Sequence, residues 1–531
     1  MSSGSPDRGA PDRVSVYDTT LRDGTQREGL SLSCDDKLRI AAHLDAFGVD
    51  FIEGGWPGSN PKDVEFFERA RDREWKHASI AAFGSTRRAG IGPEGDPQLK
   101  ALLDAKTPVC TIFGKSWTLH VTDVLRTTLD QNLEMIEDTI RFLVSNGRRV
   151  VYDAEHFFDG FHADKTYALA TLQAARKGGA EVLVLCDTNG GTMPWQVESI
   201  VRDVHLAMPG VTIGMHMHDD TGCAVANSLA GIRAGARHVQ GTVNGYGERC
   251  GNANLSSLIP SVELKMGLPC VPHGKLAELS DLSRYVAEIA NLPMNEHAAY
   301  VGRSAFAHKG GVHVAAMRRD ATSYQHVDPA LVGNESRVVV SELSGRGNVI
   351  SKAEELGLHV EQSEGVAILE QVKQLEAQGF AYEAAEASFA LLVARKKADY
   401  VAPFEVLDFQ ATVGKRQDAP TFVEATVRVR VGDQVLHTAG SGNGPVSALD
   451  EALRKAVEPR FPEVHDIHLA DYKVRILDGQ NGTSSTTRVL IDNRAFDRTW
   501  STVGASSNII EASLLALVDG IEYGLGLARR E

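Results

Sequence analysis

Short apolar runs alternate with amphipathic stretches along the first half of the chain. The apolar runs lie near positions 14–18, 49–54, 78–83, 108–113, 149–153, 181–186, 211–217 and 238–243. Between them, apolar residues recur with helical spacing, for example over 35–47, 123–146, 164–177, 194–205 and 224–234. Eight strand–helix units in about 250 residues are typical of an α/β fold of the TIM (β/α)8 barrel type. A doubly wound open sheet is the alternative. The barrel is favoured because polar residues end many different strands, and only a barrel gathers those ends at one site.

The pattern changes twice beyond the predicted barrel. Helical periodicity dominates over 274–291, 348–357, 363–378 and 381–397. Further on, strand-like runs at 404–413, 421–431, 434–440, 472–478 and 485–492 are joined by helical stretches at 445–457 and 508–527. The predicted organisation is a disordered leader at 1–13, a barrel at 14–270, helical linker subdomains at 271–400 and a C-terminal α+β domain at 404–531. This last domain could consist of two related βαβ-like halves.

Composition narrows the class of protein. The chain has 531 residues, a net charge of −15, 43% hydrophobic residues and 24% charged residues, which is ordinary for a globular protein. The negative charge argues against nucleic acid or an anionic membrane as a partner. An anionic substrate therefore needs locally placed cations or a metal ion. No apolar run approaches the roughly 20 residues of a membrane-spanning helix, and the polar leader lacks the apolar core of a signal peptide. Six cysteines without a C-x-x-C pair indicate a reduced, cytoplasmic protein.

Side chains that can bind a divalent metal follow the first, seventh and eighth predicted strands. His216 and His218 lie two residues apart on one strand, so both imidazoles point to the same face. Asp23 follows the first strand, and Asn252 lies in the glycine-rich segment after the eighth. Because barrel strands end at a common site, we expect these four residues to hold one ion. A mixed set of nitrogen and oxygen ligands suits Mn²⁺, Mg²⁺, Zn²⁺ or Co²⁺.

Other polar residues at strand ends are candidates for substrate contact. An Arg beside an Asp is usually a surface ion pair, but Arg22 follows a barrel strand and can stabilise negative charge on a substrate oxygen. Glu155 and Thr188, after the fifth and sixth strands, can position a substrate or only support a neighbouring group, and both interpretations stay open. Glu248 is a candidate to orient Arg22 or a histidine ligand.

Three motifs together resemble a known family. They are DTTLRDGTQ at 18–26, HMHDD at 216–220 and GERCGNA at 247–253. The combination resembles the acyltransferase branch of the metal-dependent barrels with a D-R-E signature, which includes 2-isopropylmalate, homocitrate and citramalate synthases. The C-terminal domain resembles the amino-acid-sensing regulatory domain of the isopropylmalate and citramalate enzymes. The resemblance covers the whole chain beyond the leader.

Further segments resemble the citramalate synthase branch of that family. They are GWPGSNPKD at 55–63, IFGKSW at 112–117 and DAEHFFDG at 153–160. The resemblance implies condensation of acetyl-CoA with pyruvate and water to (R)-citramalate and CoA, in threonine-independent isoleucine biosynthesis with isoleucine as feedback inhibitor. The alternatives are a 2-isopropylmalate synthase, an acyl-CoA lyase of the same barrel superfamily, and a catalytically inactive amino-acid sensor.

The resemblance also implies roles for particular residues. Arg22, Asp23 and Thr188 would contact the 2-oxo acid. The bulky side chains near strand ends that are candidates to close the pocket around one methyl group are Phe83, Phe113 and Tyr152.

The general base is the least certain of these roles. The resemblance points to His313, with Tyr324 nearby, and Glu155 is the rival base. In the family, the segment at 304–313 reaches the barrel of the partner subunit. The resemblance therefore implies a homodimer with subdomain exchange.

Overall fold

The computed structural model describes residues 12–415, 417, 420–478 and 484–529. It divides into two compact units: one runs to Phe306 and adds Val327–Glu335, and the other comprises Ala307–His326 and the chain from Ser336. Nearly all of the expected leader lies outside the described residues. The expected boundaries at residues 270 and 404 fall inside these units, so the three-part division stays a prediction.

The first unit contains a closed barrel of eight parallel strands in sequential order. The strands are β1 (Ser15–Asp18), β2 (Phe51–Gly55), β3 (Ser79–Ser85), β4 (Val109–Lys115), β5 (Arg149–Glu155), β6 (Val182–Asp187), β7 (Thr212–Met217) and β8 (His238–Gly241). Pairing of β1 with both β2 and β8 closes the sheet. The predicted TIM barrel is confirmed, and the open sheet is excluded.

Helices follow the strands and cover the barrel. They are α1 (Cys34–Phe47), α2 (Pro61–Arg71), α3 (Pro97–Asp104), α4 (Leu129–Ser145), α5 (Phe157–Ala163), α6 (Lys165–Gly178), α7 (Pro194–Ala207), α8 (Ala224–Arg233), α9 (Leu255–Ser261) and α10 (Leu279–Ile289). Local sequence sets several of their ends. Ser33 and Asp36 form a capping box that begins α1, and Gly48 ends it with a φ of 100°.

Strand alternation divides the barrel side chains between two cores. Tyr17, Phe51, Val109 and Val151 pack with one another inside the barrel. Their neighbours in sequence pack outward against the helices. Since side chains alternate along a strand, inward positions continue up to the carboxyl ends, where they form the floor of a site.

The second unit begins with small helices and a two-stranded parallel sheet. These elements are β9 (Ala307–His308), α11 (Gly311–Met317), β10 (Arg337–Val338), α12 (Arg346–Glu355), α13 (Gln362–Ala377) and α14 (Glu386–Ala394). The same unit continues into two three-stranded antiparallel sheets. The first comprises β11 (Glu405–Gly414), β12 (Phe422–Val431) and β13 (Gln434–Ser441), followed by α15 (Pro445–Val457). The second comprises β14 (His468–Ile476), β15 (Thr487–Ala495) and β16 (Arg498–Ser506), followed by α16 (Ile509–Ala528). The expected α+β domain is confirmed, and its halves are βββα units rather than βαβ-like.

The helices in the described part of the chain lack the combination of length and apolarity that a bilayer crossing requires.

Candidate metal centre

Asp23, His216 and His218 meet at the carboxyl end of the barrel. Asp23 Oδ2 lies 3.3 Å from His216 Nε2, which in turn lies 3.3 Å from His218 Nε2. All three residues are buried, and each offers one ligand atom within 4.8 Å of the others. Two ligands about 2.1 Å from the same ion lie roughly 3.0–3.4 Å apart in octahedral or tetrahedral geometry. The spacing of these atoms therefore suits one divalent cation.

Two buried oxygen atoms beside this cluster have no hydrogen-bond partner among the described residues. They are Asp23 Oδ1 and Asn252 Oδ1. Asn252 donates its amide to the carbonyl of Tyr246 at 3.1 Å, and a backbone bridge joins Asn252 to His218. Leaving a buried polar atom unpaired is costly. Two imidazoles and two free oxygens are a donor set that a divalent metal fits.

A polar chain across the barrel orients His216. The register of β7 on β8 places His216 opposite Gln240. His216 Nδ1 lies 2.7 Å from Gln240 Oε1, and Gln240 Nε2 donates to Asp153 Oδ1 at 2.9 Å. Because the amide oxygen only accepts, the imidazole proton belongs on Nδ1 and the Nε2 lone pair faces Asp23.

The protonation states of His218 and Asp23 favour metal binding. Burial, with His216 alongside, lowers the pKa of His218 to about 4, so this imidazole is neutral at pH 7. Burial by itself would raise the pKa of Asp23, but Arg22 and His216 outweigh it and hold that pKa well below its ordinary value. A neutral imidazole and an ionised carboxylate are the forms that bind a metal. At His216, burial would lower the pKa, but Asp23 outweighs burial and raises it, so a metal ion must displace a proton there.

Arg22 is held rigidly beside the cluster. Its Nε donates to Glu53 at 2.6 Å, and its NH1 lies 3.4 Å from Asp23 Oδ2. The fully buried Glu53 also accepts from Tyr17 Oη at 2.6 Å and from the Thr19 hydroxyl. The rest of the guanidinium fork is left to face a ligand, in an orientation that is set in advance.

Phe83 and Phe113, two predicted substrate contacts, lie on adjacent inward positions of β3 and β4. Their rings stack with centroids 5.3 Å apart, and the Arg22 guanidinium lies 3.8 Å over the Phe83 ring. The Trp56 ring meets both rings edge to face at 5.6 Å. We call Trp56, Phe83 and Phe113 the aromatic wall.

The other predicted substrate contacts of the barrel differ in placement. Glu155 ends β5 and forms an ion pair with Lys115 at the end of β4. Thr188 follows β6, and its hydroxyl accepts the backbone N–H of His156 at 2.9 Å. Tyr152 requires a correction, because strand alternation turns its ring outward into the core between the barrel and its helices. A side chain on that face does not reach the barrel mouth, so we leave Tyr152 out of the pocket.

His313 and Tyr324 lie in the second compact unit. Their rings stack with centroids 4.2 Å apart, and both side chains are exposed. Their predicted part in proton transfer stays a prediction.

Close backbone packing explains the glycine-rich loop that presents Asn252. Gly247 has a φ of 155°, and a Cβ there would overlap the Asn252 amide. Gly251 has a φ of 100°, and a Cβ there would overlap the carbonyl of Gly245. Glu248, expected to orient Arg22 or a histidine, instead lies 3.8 Å from Arg249 on the exposed side of the loop.

Glu53 and Gln240, which the sequence analysis did not identify, orient Arg22 and His216. A signal was available, because each is a polar residue inside an apolar strand run, and buried polar residues are normally paired. Lys115 and Trp56 were also missed as contributors to the site. Their partners, Glu155 and the phenylalanine rings, come from distant segments of the sequence.

Comparison with known families places three profiles along the chain. Residues 13–286 match the family described as HMGL-like. Residues 300–379 match the domain described as homocitrate synthase post-HMGL domain-like. Residues 383–525 match the LeuA allosteric (dimerisation) domain.

Curated relatives align with almost the whole chain. An (R)-citramalate synthase of Geobacter sulfurreducens is 52% identical over 517 residues, which cover 96% of this chain and 97% of the relative. An (R)-citramalate synthase of Synechocystis sp. is 54% identical over 525 residues, with 96% of each chain covered. A 2-isopropylmalate synthase of Methylorubrum populi is 31% identical over 519 residues, which cover 96% of this chain and 95% of the relative.

Proposed function

The chain belongs to the HMGL-like barrel family and, within it, to the citramalate synthase branch of acyltransferases, and from this premise we propose that it is an (R)-citramalate synthase. The proposed reaction condenses acetyl-CoA with pyruvate, and water then cleaves the thioester to give (R)-citramalate and CoA. The observation that carries the proposal is the buried cluster of Asp23, His216 and His218 beside Arg22 and the aromatic wall.

In the proposed site, Asp23, His216, His218 and Asn252 would hold a divalent metal ion. Mn²⁺, Mg²⁺, Zn²⁺ and Co²⁺ all suit this donor set. The bound ion would supply Lewis acidity that polarises the ketone of a 2-oxo acid. Gln240, which accepts from His216 Nδ1, would keep the Nε2 lone pair available to the ion, as outer partners of metal-bound histidines do.

Arg22 would stabilise the oxygen on which negative charge develops when the carbon–carbon bond forms. Its Nε is already committed to Glu53, so its terminal nitrogens are the ones that point to substrate. Donors fixed before the reaction stabilise charge without a reorganisation cost. Thr188, which directly follows β6, would contact the same substrate.

His313 is the proposed base that removes a proton from the acetyl methyl group. An imidazole exchanges protons readily near neutral pH, and Tyr324 stacks on its ring. Glu155 is the weaker candidate, because Lys115 already occupies its carboxylate. We propose that His313 acts in the barrel of the partner subunit, in a homodimer with exchanged subdomains.

The second unit would carry regulation and assembly. Its match to the LeuA allosteric (dimerisation) domain supports homodimerisation. We propose isoleucine as the feedback inhibitor, in threonine-independent isoleucine biosynthesis. A cytoplasmic location is proposed because all six cysteines are free thiols.

Thiol release from acetyl-CoA by the purified full chain tests the proposal. With Mn²⁺ present, pyruvate should be turned over far better than 2-ketoisovalerate, and the product should be (R)-citramalate by chiral chromatography. Isoleucine should inhibit, with leucine as the matched control. Asp23→Ala should abolish turnover, whereas Asp35→Ala, at an exposed ion pair on α1, should leave it intact.

Two outcomes would overturn the assignment. Preference for 2-ketoisovalerate would identify a 2-isopropylmalate synthase. Cleavage of a 3-hydroxyacyl-CoA without net condensation would identify a lyase.

A further inference from the structure

A buried ion pair lies next to Trp56 of the aromatic wall, outside the proposed metal centre. It joins Lys37 on α1 to Asp63 on α2, with only 4% and 5% of these residues exposed. Lys37 Nζ donates both to Asp63 Oδ1 and to the carbonyl of Gly54 at 3.1 Å. Burying two charges is costly, so such pairs add little net stability and are kept in some proteins for specificity. The contacts of Lys37 and Asp63 indicate that the pair could fix the conformation of the turn after β2.

Both partners hold the turn that leaves β2. Lys37 binds the carbonyl of Gly54, and Asp63 Oδ2 accepts the backbone N–H of Trp56 at 2.8 Å. Gly55 has a φ of 148°, and a Cβ at this position would overlap the Asp63 carboxylate. A Cβ at Gly54 would overlap the Phe66 ring on α2. The turn is therefore clamped at each of its three residues.

The clamped turn positions the Trp56 indole against the other two rings of the aromatic wall. The indole meets the Phe83 ring at 83° and the Phe113 ring at 80°, while those two rings stack at 17°. Trp56 therefore packs against both rings at once. Trp56 and Arg22 also line one cavity of about 240 Å³, together with Lys37 and Asp63. The wall thus lies next to the guanidinium that would hold the 2-oxo acid.

We propose that Lys37 and Asp63 are a positioning pair for substrate selection, which fixes Trp56 against Phe83 and Phe113 so that the aromatic wall limits the size of the 2-oxo acid. This inference rests on the proposed function, because it concerns the acceptor side chain in that reaction. Trp56 is the specificity-determining residue, and the ion pair acts through it.

Rigidity is what such a wall needs. A pocket distinguishes substrates that differ by one methylene by roughly 10- to 200-fold. That discrimination is lost if the wall can retreat, because the larger substrate then fits at little cost. The Asp63 carboxylate binds the backbone N–H of Trp56, and the buried Lys37 neutralises its charge. This buried arrangement holds the turn more firmly than exposed contacts would.

Truncation of Trp56 tests the specificity role. In Trp56→Ala, the ratio of kcat/KM for 2-oxobutanoate to that for pyruvate should rise by roughly tenfold or more. Trp195→Ala is the matched control, because Trp195 lies on α7 with 70% of its surface exposed, and its ratio should equal that of the wild type. Trp56→Leu provides a milder change if the alanine variant does not fold, and its ratio should move in the same direction.

The double variant Lys37→Met/Asp63→Leu tests the positioning role. It removes both buried charges together, so no unpaired charge remains, while the Trp56 N–H loses its acceptor. The same ratio should rise by at least about threefold, a smaller effect than truncation because the indole is displaced rather than removed. Arg149→Gln/Glu181→Gln is the control: it removes an ion pair with two contacts of 2.7 Å at the start of β5 and β6 and should not change the ratio.

The outcomes separate this inference from the proposed function. If the wild type does not use pyruvate, the proposed function fails whatever the variants do. If the wild type prefers pyruvate and folded Trp56 variants keep its substrate ratio, the aromatic wall does not set specificity. A lower melting temperature with an unchanged ratio in the double variant would show that the pair is only structural.

Discussion

At the scale of single residues, the partner of each functional side chain decides what it can do. His216 can bind a metal through Nε2 because its Nδ1–H donates to the Gln240 amide oxygen, which keeps the proton on Nδ1. Arg22 can face a substrate because Glu53 holds its Nε. Neither partner is proposed to contact the metal or the substrate, yet each orients a group that would do so.

Removal of the Gln240 amide should weaken metal binding. Gln240→Leu keeps the approximate volume but leaves the His216 tautomer unset, so Mn²⁺ affinity should fall by roughly 10- to 100-fold. Isothermal titration of the metal-free protein measures this change. Gln131→Leu, which alters a glutamine on α4 that accepts from the Thr127 hydroxyl, is the control, and an equal loss there would contradict the role of Gln240.

The buried carboxyl of Asp18 should make barrel stability depend on pH. Burial raises the pKa of Asp18 to about 7, although hydrogen bonds from Thr20 oppose the shift. Because the folded-state pKa exceeds the unfolded value, this stabilisation is complete below about pH 4 and is lost as pH rises through about 7. Asp18→Asn cannot ionise, so it should gain about 2 kcal/mol relative to the wild type between about pH 5 and about pH 8.

Thermal melts of both proteins at the two pH values measure this difference. The melting temperature of Asp18→Asn, relative to the wild type, should be higher at the upper pH. If the melting temperatures of the two proteins changed equally with pH, the raised pKa of Asp18 would be contradicted.

At the scale of elements, one arginine connects two helices of the second unit. Arg395, just after α14, donates to Glu522 at 2.7 and 3.0 Å and to Asp519 at 2.8 Å. Both acids lie on α16, and Tyr400 Oη also donates to Glu522 at 2.6 Å. The position of α16 therefore depends on a charge network as well as on apolar packing.

Arg395→Met should destabilise the second unit. It leaves two largely buried carboxylates without their cation, at a cost of about 2–3 kcal/mol, reduced from the fully buried case because Arg395 is partly exposed. Differential scanning calorimetry should show a lower unfolding temperature for the second unit than in the wild type. Arg428→Met, which breaks an exposed pair with Asp408, should cost less than about 1 kcal/mol. An equal loss of stability in Arg395→Met and Arg428→Met would show that the network around Arg395 does not stabilise the second unit.

Element prediction failed most clearly at β16. The preceding hairpin turn places Phe496 and Asp497 at φ values of 53° and 56°, where Asn-Gly is the usual signal. The strand itself interrupts its apolar positions with Thr499, Ser501 and Gly504. Pairing with β15 and packing against α16 stabilise it, and neither interaction is visible in a local window. The barrel strands were easier because nearly continuous apolar runs mark strands that are buried on both faces.

At the scale of the whole molecule, the proposed exchange of subdomains has a direct test. Asp23→Ala and His313→Ala are each expected to be inactive as homodimers. If His313 acts in the partner's barrel, the mixed dimer restores one complete site, so random mixing should recover about a quarter of the wild-type activity. If His313 acts within its own chain, no mixture recovers activity.

The control for subunit mixing is a pair of Asp23→Ala chains with different tags. They should exchange to the same extent, as shown by co-purification, and remain inactive. Recovery of activity in that control would contradict the metal-ligand role of Asp23.

Spacing along the chain was enough to predict several features of this protein. Alternation and helical periodicity specified eight strand–helix units, and the two-residue separation of His216 and His218 placed both imidazoles on one face. The motifs around Arg22, Asp23 and Asn252 indicated the family and the metal chemistry. All of these signals are local, because a side chain's direction relative to its neighbours follows from the backbone period.

The groups that meet across the barrel were not predictable before the strands were seen to pair and pack. Closure and register brought Gln240 between His216 and Asp153, set Glu53 under Arg22, and turned Tyr152 outward while Phe83 and Phe113 faced in. Packing of α1 and α2 against the β2 turn placed the Lys37–Asp63 pair against the backbone that carries Trp56. These contacts join residues far apart in sequence, and their geometry arises from strand pairing and core packing, which no local pattern encodes.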